Sequence, residues 1–199
     1  METIAQKIIK TAKNQAVFRA SDIQDVPDPR TSLRRMVAKG QLIRVGRGLY
    51  TLPDVEVSIH HSMVEAVKRY PGGVICLISA LVFHGIGTQM PYATWMMRRD
   101  RKPVPVQGPP MRFVYCTGPV FSHGVETHII EGVEVHVYTP AKTIADCFKY
   151  RNKIGLEVAL EALQEGWRTK RFTMDELWKS ACACRVQSVM QPCLEMLVQ

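Results

Sequence analysis

Between Val26 and Leu52 the apolar residues change their period from that of a helix to that of a strand, and both segments are punctuated. Asp28 is a good helix N-cap, Pro29 suits the first helical position and Gly40 suits the stop, which brackets a helix of about eleven residues. At ~100° per residue, Leu33, Met36, Val37 and Gly40 gather on one side. Thr31, Arg34, Arg35 and Ala38 lie opposite them, with Lys39 at the edge and Arg30 in the first turn between the faces. One face is core. The other mixes long cations with small residues, the combination by which a helix in a DNA major groove reaches base edges and phosphates. From Leu42 to Leu52 the period is two, and Gly46 and Gly48 supply a turn from which Arg44 and Arg47 project.

Upstream, Ile4, Ala5, Ile8, Ile9 and Ala12 recur at helical spacing, so residues 2–14 read as an amphipathic helix. Ser21 is expected to cap a short second helix that begins at Asp22. Three helices followed by a basic hairpin make a winged helix-turn-helix over residues 1–53. The candidate DNA-contacting residues are Arg30, Thr31, Ser32, Arg34, Arg35, Lys39, Arg44 and Arg47. Wing arginines would follow phosphates, setting affinity and salt dependence rather than sequence choice.

Charge supports the same reading. The chain has 199 residues and a formal net charge of +8. Residues 1–53 hold ten Lys or Arg and four acids, hence +6, and the rest of the chain carries only +2. A small basic module on a near-neutral body is the footprint of a nucleic-acid binder. The alternative, a solvated Lys-rich face, accounts for the charge but not for its agreement with helix face and hairpin. The composition excludes disordered and collagen-like chains. No run approaches the ~20 apolar residues of a membrane helix, and the first residues lack the pattern of a signal peptide, so a cytoplasmic location is expected.

Residues 59–199 read as a mixed α/β domain with a helical C-terminal tail, making the whole an α+β chain of two domains. Helix 61–70 stops at Pro71-Gly-Gly73, and Val74 to Ile78 reads as a strand covered on both faces. Ser79 would cap a helix to Gly85. Further strands are expected over 92–97 and 111–116, and a hairpin over 125–138 turning at Glu131-Gly132. Thr139-Pro140 opens a helix, Thr173-Met-Asp-Glu176 is a capping box, and the last helix contains Pro192.

No phosphate-loop, dinucleotide or serine-hydrolase motif is present. The six cysteines sit in apolar or helical surroundings and read as reduced core thiols, and Cys182-Ala-Cys184 lacks zinc-knuckle spacing. No catalytic residue, metal site or cofactor is therefore expected. His128, Glu131 and Glu134 on the hairpin are the residues an alternative reading, a nuclease or nucleotidyltransferase-like enzyme carried by the DNA-binding module, would use. The run Arg98-Arg-Asp-Arg-Lys102 reads as a solvated turn, or else as a second phosphate contact or a dock for an acidic partner.

Four stretches resemble AbiEi-type antitoxins: Gly40-Gln-Leu-Ile-Arg-Val-Gly-Arg-Gly-Leu-Tyr-Thr-Leu-Pro53, Ser79-Ala-Leu-Val-Phe-His-Gly-Ile-Gly-Thr-Gln-Met-Pro91, Gly124-Val-Glu-Thr-His128 and, most specifically, Val137-Tyr-Thr-Pro-Ala-Lys-Thr-Ile-Ala-Asp-Cys-Phe-Lys-Tyr-Arg-Asn-Lys-Ile-Gly155. The resemblance implies a transcriptional regulator of a type IV toxin–antitoxin system linked to phage defence. Its winged helix would bind inverted operator repeats, as a monomer or a weak homodimer pairing on DNA, and repress its own operon. Its second domain would oppose a nucleotidyltransferase toxin encoded next door. Arg30 to Lys39 and Arg44 to Arg47 inherit the DNA-contact role from that resemblance.

Overall fold

Helix α1 (Ile4–Asn14) is set by its ends and by one apolar stripe. Thr3 and Gln6 form a reciprocal capping box, and Ile8 and Ala12 are buried. In this computed structural model, which describes residues 2–101, 103 and 108–197, the chain divides into two compact units. The first comprises 1–72, 102–110 and 128–135, and the second 73–101, 111–127 and 136–199.

In the first unit, α1 is followed by β1 (Phe18–Arg19), a 3-10 turn over Ala20–Asp22, helix α2 (Arg30–Ala38) and the antiparallel strands β2 (Ile43–Gly46) and β3 (Leu49–Thr51). The sheet order is β1-β3-β2, because Phe18 and Arg19 pair with Tyr50 and Leu49. Two expectations change here. Ser21 does not cap a second α-helix: Asp22 turns its carboxylate back onto the Arg19 N–H (2.8 Å), which closes a single 3-10 turn. Strand β1 is an addition, a two-residue strand too short to show a period. Ile8, Ala12, Phe18, Ile23, Leu33, Met36 and Leu42 make the core.

Beyond 53 the same unit holds α3 (His61–Arg69) and the turn of a long hairpin, residues 128–135. The turn residues Glu131 and Gly132 have φ of +51° and +73°, the two positive values a tight two-residue hairpin turn requires. The Ala16 N–H donates to Glu131 O (3.0 Å). A Cβ on Gly132 would fall 1.6 Å from Asn14 O, so only glycine fits.

The second unit is built on a mixed sheet of order β6-β5-β4-β8-β7. Its strands are β4 (Val74–Ile75), β5 (Thr94–Arg98), β6 (Met111–Tyr115), β7 (Val125–Ile130) and β8 (Val133–Tyr138); the tip of the β7–β8 hairpin is the turn assigned to the first unit. The expected strand over 74–78 is only two residues long. Cys76 ends it, and helix α4 (Leu77–His84) begins two residues before Ser79. Ser79 is not its cap: its buried hydroxyl accepts from the Trp95 N–H (2.9 Å). The short α5 (Pro119–Ser122), then α6 (Pro140–Lys149), α7 (Arg151–Ile154), α8 (Leu156–Arg168), α9 (Met174–Cys184) and α10 (Gln187–Leu197) complete the unit. Thr139 caps α6 with Pro140 in its first turn, and the Thr173–Glu176 capping box opens α9, both as the sequence predicts.

Helix α6 carries an ion pair through the core. Lys142 Nζ lies 2.6 Å from each carboxylate oxygen of Asp146, with side chains 0% and 1% exposed. The ammonium also sits over the Tyr138 ring, and Cys184 Sγ donates to Asp146 Oδ1 (3.3 Å). Burial and the Asp146 charge push the Cys184 thiol up to about 12. All six cysteines are free.

Candidate nucleic-acid interface

Helix α2 is fixed at both ends. The helix starts one residue later than expected: Pro29 takes the cap position rather than the first helical one, and Asp28, one residue further out, accepts from the Arg30 N–H through Oδ1 (3.2 Å). At the other end the Gly40 N–H bonds Val37 O and the Gln41 N–H bonds Met36 O, with Gly40 at φ +70°: a Schellman stop. Leu33 and Met36 are buried and Val37 is half-buried. Thr31, Arg34, Arg35, Ala38 and Lys39 are exposed, as the face calculation predicts, and Ser32 is half-buried at the margin. Arg30 is exposed and makes a loose contact with Asp28 (4.0 Å). Among the described residues Arg34, Arg35, Lys39 and Arg47 form no ion pair.

The hairpin brings a second set of cations to the same face. Arg44 lies opposite Tyr50 in the ladder, and its Nε donates to Gly46 O (3.2 Å), which directs the side chain along the turn. Arg47 is exposed at the tip, where Gly48 adopts φ +72°. A hollow of about 250 Å³ is lined by Arg30, Arg34 and Val37 of the helix, by Arg44, Gly48 and Tyr50 of the hairpin, and by Ala20. Three of the eight candidate residues therefore share one depression; Thr31, Ser32, Arg35, Lys39 and Arg47 lie outside its lining. Tyr50 and Ala20 are additions: Tyr50 lies on β3, a strand the period predicts, but its place beside Arg44 depends on the ladder register, and Ala20 lies in a 3-10 turn that carries no periodic signal.

The acids and histidines of the long hairpin are used differently from the enzymatic expectation. Glu131 is nearly buried, with its carboxylate accepting from the Ser58 N–H (2.6 Å) and facing His61 Nδ1 (2.8 Å). His61 Nε2 is 3.9 Å from Glu65. Burial works to raise the Glu131 carboxyl, but the hydrogen bonds from His61 and Ser58 outweigh it and hold the group below the usual range. Burial pushes the Glu65 carboxyl up, with His61 and Arg69 opposing. Glu131 thus clasps the chain around residues 58–61. Glu134 is exposed, and no three His, Cys, Asp or Glu side chains converge as a metal set among the described residues.

The Arg98–Lys102 run is not a solvated turn at its start. Arg98 is the last residue of β5, 2% exposed, paired with Asp100 (2.7 Å) and stacked on Phe113 at 4.7 Å. Arg99 lies over Phe121 and Arg101 over Tyr115. Lys102 lies outside the described residues.

Residues 6–53 match the family described as transcriptional regulator, AbiEi antitoxin. Over that segment the chain is similar to AbiEi antitoxins. The matched span contains α2, the hairpin and all eight candidate residues. The similarity thus lies in the part that carries the exposed cations, and the general kind of that family is a transcriptional regulator. The match ends at Pro53, and no curated protein matches the chain. No helix among the described residues is long and apolar enough to cross a membrane.

Proposed function

We propose that the chain is a DNA-binding autorepressor and the antitoxin of a type IV toxin–antitoxin, phage-defence operon, with residues 1–53 as a winged helix-turn-helix and residues 59–199 as the antitoxin-type domain. The observation that carries the reading is the shared depression lined by Arg30 and Arg34 of α2 and Arg44 of the hairpin, inside the AbiEi-matched segment. In the proposed complex Thr31, Arg34 and Arg35 read base edges in a major groove, with Ser32 beside them. Arg30, Lys39, Arg44 and Arg47 hold phosphates. The partners are inverted operator repeats and a nucleotidyltransferase toxin from the neighbouring gene, met in the cytoplasm. The chain itself is no enzyme on this reading, and the engagement of Glu131 by Ser58 and His61 argues against its use in catalysis.

Fluorescence anisotropy on the protein's own upstream DNA tests the proposal. With about five phosphate contacts, the plot of log affinity against log salt should have a slope near −4 to −5. Specific binding should require the repeats. Equal affinity of wild type and the Arg34→Ala/Arg35→Ala variant for that DNA would overturn the helix assignment.

A further inference from the structure

Helix α8, like α9 at Arg185, ends on a residue other than glycine in the left-handed region. Its last turn closes as a Schellman stop, the Lys170 N–H on Trp167 O (3.1 Å) and the Arg171 N–H on Gly166 O (2.9 Å). The position that glycine normally takes is filled by Lys170, at φ +55°. A side chain stands where the backbone would be more relaxed without one. That side chain borders a hollow of about 720 Å³, within the size range of small-molecule sites.

The hollow has three kinds of wall, all from one stretch of the second unit. Its apolar part is Trp167, Phe172 and Met174, the two rings lying 6.4 Å apart at 37°. Phe172 is seated because residue 166 is glycine: a Cβ there would stand 2.5 Å from the ring. Its cationic part is Arg168, Lys170 and Arg171. Arg168 has only a loose contact with Glu165 (3.9 Å), and Arg171 is steadied by a hydrogen bond from its guanidinium to His84 O. Its single carboxylate is Glu176, whose Oε2 accepts from the Thr173 N–H (2.7 Å) and from the Thr173 hydroxyl. These bonds hold Glu176 below the usual carboxylate range, so it stays ionised.

We propose that this hollow binds a nucleoside monophosphate, with the base against Trp167 and Phe172, the ribose hydroxyls donating to Glu176 and the phosphate held by Arg168, Lys170 and Arg171. The charge pattern chooses this occupant. A fatty acid would satisfy the cations and the apolar wall but offers Glu176 no hydrogen to accept. A nucleoside monophosphate offers a ring face, a pair of hydroxyl donors and a dianion in that order. Phosphate on a guanidinium pair makes strong charge-assisted hydrogen bonds. The inference does not rest on the DNA-binding reading of the first unit.

Isothermal titration calorimetry of the full chain against the four ribonucleoside monophosphates tests it, with inorganic phosphate, adenosine and a short single-stranded DNA as separate arms. At least one monophosphate should bind, and more tightly than adenosine or phosphate alone. Lys170→Gly is the decisive variant. It should weaken that binding about tenfold, the effect of losing one charge-assisted contact, while the melting temperature stays the same or rises. Glu176→Gln keeps a capping side chain and should reduce the preference for the ribonucleotide over its 2′-deoxy form. No binding by any monophosphate at about millimolar concentration, the weak end of the affinity scale, would overturn the proposal. So would binding that Lys170→Gly leaves untouched, or binding of the single-stranded DNA alone.

Discussion

Arg34 and Arg35 stand exposed on α2 and form no ion pair among the described residues, whereas Lys142, on a helix of similar length, is wholly buried and held by both oxygens of Asp146. The first arrangement leaves cations hydrated and ready to exchange water for phosphate, so their energy is realised only when a ligand arrives. The second removes the cation from solvent and commits it to one partner 2.6 Å away. Arg98 belongs with Lys142: buried, paired with Asp100 and stacked on Phe113. The lesson is that net charge alone does not mark a binding surface. The cations that matter for ligands are those the fold leaves exposed to solvent.

The largest effect should come from breaking the buried pair. Asp146→Ala leaves the Lys142 ammonium uncompensated and should cost about 3–5 kcal/mol of folding stability, read by denaturant unfolding. Replacing both partners with apolar residues should recover most of the loss, because the desolvation cost goes with the charges. Arg34→Ala/Arg35→Ala should do the reverse. It should cost about 2 kcal/mol or more in operator affinity while folding stability stays within about 0.5 kcal/mol of wild type. If that variant unfolds easily, the two classes of cation are not distinct.

Gly132→Ala should cost about 1–3 kcal/mol, since it adds a clash with Asn14 O to an unfavourable backbone angle. Hydrogen exchange at the Ala16 N–H, which donates to Glu131 O, should accelerate. A smaller effect is expected from Glu131→Gln, about 1–2 kcal/mol at neutral pH for weakened charged hydrogen bonds. Its sign with pH follows from the lowered carboxyl. The stabilisation is fully present above the ordinary value of 4.5 and is lost as pH falls through the lowered one, so the variant should flatten the acid limb of the stability curve. Glu65 has the opposite sign. Its raised carboxyl favours the fold below 4.5, and that contribution disappears as pH rises through the raised value. Glu65→Gln should therefore leave neutral-pH stability unchanged or improve it.

Much of this was legible from residue order. Gly40 stops α2, Thr139-Pro140 opens α6, the Thr173–Glu176 box opens α9, and the hairpin turns at Glu131-Gly132, because caps and turns are local chemistry; the start of α2 is displaced by one residue, with Pro29 in place of Asp28 at the cap. The exposed face of α2 follows from its period alone. The run from Val74 to Ile78 differs from its expected strand because an unbroken apolar stretch has no period and fits a buried strand or a buried helix equally; here it is two residues of one and two of the other. The clasp on Glu131 was illegible for another reason: Ser58 and His61 lie some seventy residues away in sequence, and nothing near the turn announces them. Likewise Arg98 reads as part of a charged loop until β5 and β6 place Phe113 and Tyr115 beneath it.

The Glu131-Gly132 turn has a further consequence, for the order of synthesis. The first unit contains residues 128–135, so it is not complete when residue 72 leaves the ribosome. Until the turn emerges, the Ala16 N–H lacks the carbonyl it donates to, and the Ser58 N–H and His61 ring lack their carboxylate. A nascent chain that has already exposed the cations of α2 and the hairpin still waits for a segment made much later, although domains commonly finish from the N-terminus onward. The unit that bears the exposed arginines therefore reaches its final form only once residue 135 has been made.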